Sequence, residues 1–142
     1  MKKFIYGMLV FFAVQTGFAQ VSADAKTYVA NLGVKEQIDS AKEQILPSIQ
    51  SGKTEEFSKE FDGLVNDFIT SFSKLVEENY NAADLKTANK KFAETKEMTL
   101  VTPKDVNVFQ EKVTQLQNEI GISLQGLVMK YADPALLGGD EE

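Results

Sequence analysis

Any chemistry in this chain falls to carboxylates, lysines and tyrosines. Its 142 residues include no Cys, no His and no Trp, and Arg is missing too, so all 15 basic residues are lysines. Without Cys or His there is no disulfide, no thiol nucleophile, no Ser-His-Asp or Cys-His pair, and no zinc or haem site of the usual ligand types. Imidazole is the side chain that titrates near neutral pH, so a general acid or base here would be a strongly shifted carboxylate, lysine or tyrosine. The densest acidic sets are Glu55, Glu56 and Glu60, and Glu77-Glu78 beside Asn79. Glu56 and Glu60 stand four apart, share a helix face and could ligate a hard cation; an ordinary solvated face, with Lys59 and Lys74 as partners, is the plainer expectation. No calcium-loop spacing, Glu-x-x-His di-iron pair, Walker sequence, Gly-rich phosphate loop or zinc spacing occurs. Two acids suffice for glycoside cleavage, but nothing marks any pair, and a chain without Trp makes a poor sugar platform. The expectation is therefore a protein that is no enzyme, with no catalytic residue, no metal and no cofactor.

Charge narrows the partners. With 21 Asp and Glu against 15 Lys, the formal charge is −6. A net negative chain is repelled by phosphate polymers and anionic headgroups, and the lack of Arg removes the fork most used on phosphate and guanine. Nucleic acid is not an expected partner.

Residues 1–19 read as an export signal. Met1-Lys2-Lys3 is a short basic start, the run 4–14 is apolar apart from Tyr6 and Gly7, and Gly17-Phe18-Ala19 places small residues three before and one before a break at Ala19/Gln20. The run is shorter than the roughly 20 apolar residues of a bilayer span and polar sequence follows it, so no stable membrane anchor is expected after cleavage. No Cys follows the break, so lipidation there is excluded. Loss of Lys2 and Lys3 takes the charge from −6 to −8. The expected location is periplasmic or secreted.

The remainder divides into a single helical domain, 20–131, and a small acidic tail, 132–142. Apolar residues recur at spacings of three and four, which predicts an all-α fold, a small antiparallel bundle of about five helices. Ser22 and Asp24 open a short helix through Tyr28, Val29 and Leu32 that Gly33 ends. A second carries Val34, Ile38, Ala41, Ile45 and Ile49 on one face, with Pro47 bending or shortening its last turn. Thr54 caps a third, with Glu55 and Glu56 at the positive end of its dipole. Its stripe of Phe57, Phe61, Leu64, Val65, Phe68, Phe72, Leu75 and Val76 is the clearest element, and Gly63 within it marks a bend or a close crossing. Asn81-Ala82-Ala83-Asp84 is a capping-box start for a fourth helix with Leu85, Ala88 and Phe92. Met98, Leu100 and Val101 read as a connector or an extra turn packed on the core. Thr102-Pro103-Lys104-Asp105 then starts a long last helix, with Thr102 as its hydroxyl cap, Pro103 at the first helical position and Asp105 as the acid of the first turn; its stripe is Val106, Phe109, Val113, Leu116, Ile120, Leu124, Leu127 or Val128, and Tyr131. Gly121 and Gly126 there permit a kink or close helix contact, and Asp133-Pro134 stops the helix.

Such stripes are first of all core. If they serve a ligand, the Phe-rich third helix and the last helix would line an apolar cavity through Phe61, Phe68, Phe72 and Leu124. Tyr28, Tyr80 and Tyr131, near helix ends, would bury their rings and keep their hydroxyls wet. Met98 and Met129 are too few for a metal-binding or promiscuous methionine surface.

Several blocks resemble bacterial secreted proteins of the domain of unknown function 2059 (DUF 2059) family. They are the signal ending Gly17-Phe18-Ala19-Gln20, the block Glu56-Phe57-Ser58-Lys59-Glu60-Phe61, the segment Asn79-Tyr80-Asn81-Ala82-Ala83-Asp84-Leu85, and Glu119-Ile120-Gly121-Ile122-Ser123-Leu124-Gln125-Gly126-Leu127-Val128-Met129-Lys130-Tyr131. The family's Phe-Tyr-x-Ser/Thr-Pro-x-Gly-Lys motif meets Phe92-Ala93-Glu94-Thr95-Lys96-Glu97-Met98 here, without the Tyr, Pro or Gly, so the chain resembles a divergent member and that turn is expected as continuous helix. The resemblance implies a compact all-α domain in the periplasm or outside the cell, and no reaction. Together these readings predict a non-enzymatic binding module of the cell envelope, with an unknown protein or envelope component as partner; the alternative is a carrier of an apolar small molecule such as a fatty acid.

Overall fold

A computed structural model describes residues 21–137. Among these residues the regular structure is all-α, apart from one isolated antiparallel bridge between Ile49 and Ala132. The elements are α1 (Ala23–Asn31), α2 (Val34–Ile45), a 3₁₀ turn (Leu46–Ser48), α3 (Thr54–Asn79), α4 (Ala82–Thr95), α5 (Val106–Tyr131) and a short α6 (Pro134–Leu137). The expected signal, 1–19, lies outside the described residues, as does the end of the acidic tail; the tail's beginning is the short α6.

Local chemistry explains most boundaries. Ser22 caps α1 by accepting from the Ala25 N–H at 3.2 Å, and Gly33, at φ 72°, takes the left-handed turn into α2. Asn81 caps α4, accepting from Ala83 at 2.9 Å and Asp84 at 3.4 Å. Pro47 has no N–H to donate back into α2, so the helix tightens into the 3₁₀ turn and Ile49 leaves it as extended chain, bridged to Ala132. Ile49 is therefore not on the face of α2, and Ala41, expected on that face, is exposed.

Five further expectations are corrected. Thr54 is the first helical residue of α3 rather than its cap; Lys53 occupies the cap position without a side-chain capping bond, and its carbonyl accepts from the Phe57 N–H. The cap of α5 is Asp105, which accepts from the Val108 N–H at 3.1 Å, and not Thr102. The cause is a bond from the Lys104 N–H to the Asn79 carbonyl at 2.7 Å, which ties the chain just after Pro103 to the end of α3 in a non-helical path. The segment after Phe92 does not continue as helix past Thr95, because Lys96 turns left-handed at φ 62°. In the connector that follows, Met98 and Val101 pack on the core while Leu100 is exposed. Tyr28 sits within α1 with its hydroxyl accepting from the Val101 N–H at 3.2 Å, so that hydroxyl is bonded to backbone rather than wet.

The core has two centres threaded by α3. In the first, Ala25, Tyr28 and Val29 of α1 meet Val76 and Tyr80 at the end of α3 and Leu85 and Ala88 of α4. In the second, Phe57, Phe61 and Val65 at the start of α3 meet Ile49 and the end of α5, Leu127 and Tyr131. Helix α5 runs antiparallel to α3: Phe109 lies 5.1 Å from Tyr80, and at the far end Tyr131 lies 6.2 Å from Phe57. Each helix has 26 residues and so is about 39 Å long, and together they form one seam.

Candidate functional site

The long seam between α3 and α5 positions most of the residues singled out by sequence, and divides them. Phe61 is 1% exposed inside the second core centre, 5.7 Å from the Phe57 ring, and Leu124 packs half-buried against the same centre. Phe72 packs against the first centre, and Phe68, 8% exposed, stacks on it at 6.0 Å with ring planes 7° apart. The four form a spine along the seam and do not converge on one cavity wall.

What the seam leaves open is a groove along one side. Near the start of α3 its floor is Leu64 and Leu127 with Gly63, Ser123 and Gly126, its rims are Glu60, Asp67 and Lys130, and its volume is about 520 Å³. A second stretch of about 420 Å³ has Leu75 and Leu116 as floor between Lys74 and Glu78 on α3 and Lys112 and Glu119 on α5. Gly63 marks no crossing: a Cβ built on it, or on Gly126, meets nothing within 4 Å. Away from the seam, a smaller hollow of about 240 Å³ has Val21, Val29, Ala30 and Ile69 as its apolar wall, with Lys26, Lys35 and Glu36 at its edge.

At one end of the groove lies a cluster that the sequence did not announce. Glu60 accepts from the Tyr131 hydroxyl and from Lys130 Nζ at 3.0 Å. The Tyr131 bond first, and then Lys130, hold the Glu60 carboxyl below its ordinary value; the bond to Glu60 pushes both the Tyr131 hydroxyl and the Lys130 ammonium up. These directions make a weaker base and two weaker acids, the opposite of the tuning that proton transfer near neutral pH requires. The cluster acts as a clasp between the two helices. Its partners are about 70 residues apart in sequence, so no local spacing reveals it; only the antiparallel register of the two long helices does.

The other acidic sets are also divided. Glu56 pairs with Lys53 at 3.2 Å, and so Glu56 and Glu60 are held by different lysines, neither of them Lys59 or Lys74. Glu77 accepts from the Ser22 N–H at 3.0 Å. Among the described residues no three carboxylates gather as they would around a metal ion, and no helix is long and apolar enough to cross a membrane. Burial pushes the Tyr80 hydroxyl up to about 12, far from the range of proton transfer at neutral pH.

No family model, curated protein or solved structure matches this chain.

Proposed function

We propose that this is an exported, non-enzymatic binding module whose α3–α5 groove receives an amphipathic helix of a protein partner in the cell envelope. The observation that carries the reading is the groove itself: leucines and small residues on the floor, charges of both signs on the rims, open to solvent along its length. An apolar stripe on a partner helix would meet Leu64, Leu75, Leu116 and Leu127, while its flanking acids and lysines would meet Lys74, Lys112 and Lys130 on one hand and Glu60, Asp67 and Glu119 on the other. A lipid has no use for rims of mixed charge and is better served by an enclosed apolar space. Export is supported by the basic start, apolar run and small-residue break of residues 1–19. The resemblance to the domain of unknown function 2059 family rests on the residue blocks quoted above and adds the same expectation of an exported helical domain.

A photocrosslinking side chain at Ser123, in the groove, and another at Lys91, on α4, test this in the producing cell. Adducts with a polypeptide from Ser123 alone, lost in Gly126→Arg with unchanged helicity, are the expected result. Equal labelling from both sites, or none from Ser123, overturns it. The hollow beside Val29 and Ile69 supports a second reading, a carrier of a small apolar molecule with an acidic head, since Lys26 and Lys35 stand at its edge. Its wall contains none of the Phe residues first expected to line such a cavity. Native mass spectrometry of the processed protein from its own host separates the two: a retained lipid mass favours the carrier, a second polypeptide the module.

A further inference from the structure

The outer side of α5 is the least explained surface of the molecule. Ile122 and Met129, seven residues and so two turns apart, are 72% and 68% exposed. They stand about 140–160° around the helix from Leu127, which faces α3, and among the described residues no element covers them. From residue 120 to 129 the helix carries no charge at all. A helix without charge on any side is ordinarily buried on every side, yet this stretch has only Leu127 buried.

The charges that bound the stretch say what fits. Glu119 stands immediately before it and Lys130 immediately after, about 20° apart around the helix and so on the same flank. Read in reverse, the order acid, ten uncharged residues, lysine becomes lysine, ten uncharged residues, acid. A two-fold axis perpendicular to α5 near residues 124 and 125 leaves each flank on its own side, and so places Glu119 of each copy beside Lys130 of the other, and Ile122 of each opposite Met129 of the other. We propose that α5 pairs antiparallel with α5 of a second copy of this chain through this face. The surface is self-complementary, which is the condition a two-fold interface imposes and an unrelated partner would not. Lys130 already binds Glu60, but an ammonium has three protons, and at 59% side-chain exposure it has room for a second carboxylate. The interface adjoins the groove along the flank of Glu119 and Lys130 and leaves the leucine floor of the groove uncovered.

Sedimentation equilibrium tests the proposal on the chain from Gln20 onward, which holds every residue of both core centres. One helix face is at the small end of specific interfaces, so a dimer is expected at about 100 µM rather than at nanomolar concentration. Ile122→Glu should leave a monomer at every concentration with unchanged circular dichroism, because the side chain is exposed in a single copy. Glu119→Lys and Lys130→Glu should each weaken self-association by about tenfold through like-charge contacts, and an equal mixture of the two should dimerise again, since both cross-pairs are then of opposite sign. A parent chain that stays monomeric at about 300 µM, a dimer indifferent to Ile122→Glu, or two charge variants that fail to rescue one another overturns the proposal. A monomer that still crosslinks from Ser123 would overturn the dimer and leave the groove reading intact.

Discussion

The two long helices have the same length, the same period of apolar residues and opposite fates. Helix α3 buries Phe57, Phe61, Val65, Phe68, Ser73, Val76 and Asn79; α5, also 26 residues, buries only Leu127 and Tyr131. The difference is one of neighbours. Helix α3 is packed by α1, α2 and α5 and supplies both core centres, whereas α5 packs mainly on α3 and reaches the first centre through Phe109 and the second through its last two turns. An apolar stripe states which side of a helix seeks cover. How much cover it receives depends on how many other elements the topology brings to that side.

The strongest way to break this comparison is to delete large apolar side chains from both helices. Phe61→Ala and Phe68→Ala should each cost about 3–5 kcal/mol in denaturant unfolding, because both rings are enclosed and the surrounding helices cannot collapse fully into the space. Leu116→Ala, half-buried on the groove floor of α5, should cost about 1 kcal/mol. Equal losses would mean that α5 is as much core as α3, and that its exposed side is a minor feature.

A smaller effect distinguishes how the helices begin. Asp105→Ala removes the bond to the Val108 N–H and should destabilise the protein by about 1 kcal/mol, while Thr102→Ala, which was the expected cap, should be nearly silent. At α3 neither Lys53 nor Thr54 makes a capping bond, so Thr54→Ala should also cost little. Measured urea midpoints at constant slope would check all three.

Which parts of the molecule were legible follows from where their causes lie. Ser22, Gly33 and Asn81 act within a few residues of themselves, and the boundaries they set agree with the sequence reading. Ile49, Lys96 and Asp105 were misplaced because distant contacts or a single backbone torsion decide them: the bridge to Ala132, the left-handed turn, and the bond from Lys104 to Asn79. The stripe of α5 is a stripe in the structure too, but it is covered less than that of α3: only Leu127 and Tyr131 are buried, and Leu116 and Leu127 floor the groove. The clasp of Glu60, Lys130 and Tyr131 left no local mark, and neither did the division of Phe61 and Phe72 between two core centres.

Glycine sharpens the contrast by a fraction of a kilocalorie. Gly63 of α3 and Gly121 and Gly126 of α5 are exposed within helices, and a Cβ at each meets nothing within 4 Å. Gly→Ala at each should therefore stabilise the isolated chain by about 0.5–1 kcal/mol, through helix propensity alone. If Gly126→Ala gives that gain and yet weakens crosslinking from Ser123, the glycine is kept for a partner that approaches the groove closely. If it gives the gain with no loss of binding, the floor has no such demand.

The smallest expected effect is the pH response of the clasp, and its sign is fixed by the directions of the shifts. Glu60 is held below its ordinary 4.5, so its contribution is fully present above that value and is lost as pH falls through the lower value of the folded state. Tyr131 and Lys130 are held above 10.0 and 10.5, so theirs is present below those values and is lost as pH rises through the higher folded ones. Tyr80 acts on the same alkaline side by another route: burial holds its proton to about 12, so the unfolded chain releases that proton first and stability falls from pH 10.0 to about 12. Glu60→Gln separates the two routes. It should remove the acid loss that belongs to the clasp and shrink the alkaline loss, while the part due to Tyr80 persists. Thermal midpoints across the acid and alkaline ranges would show it, and an unchanged acid limb in Glu60→Gln would mean that the clasp joins α3 and α5 without holding them.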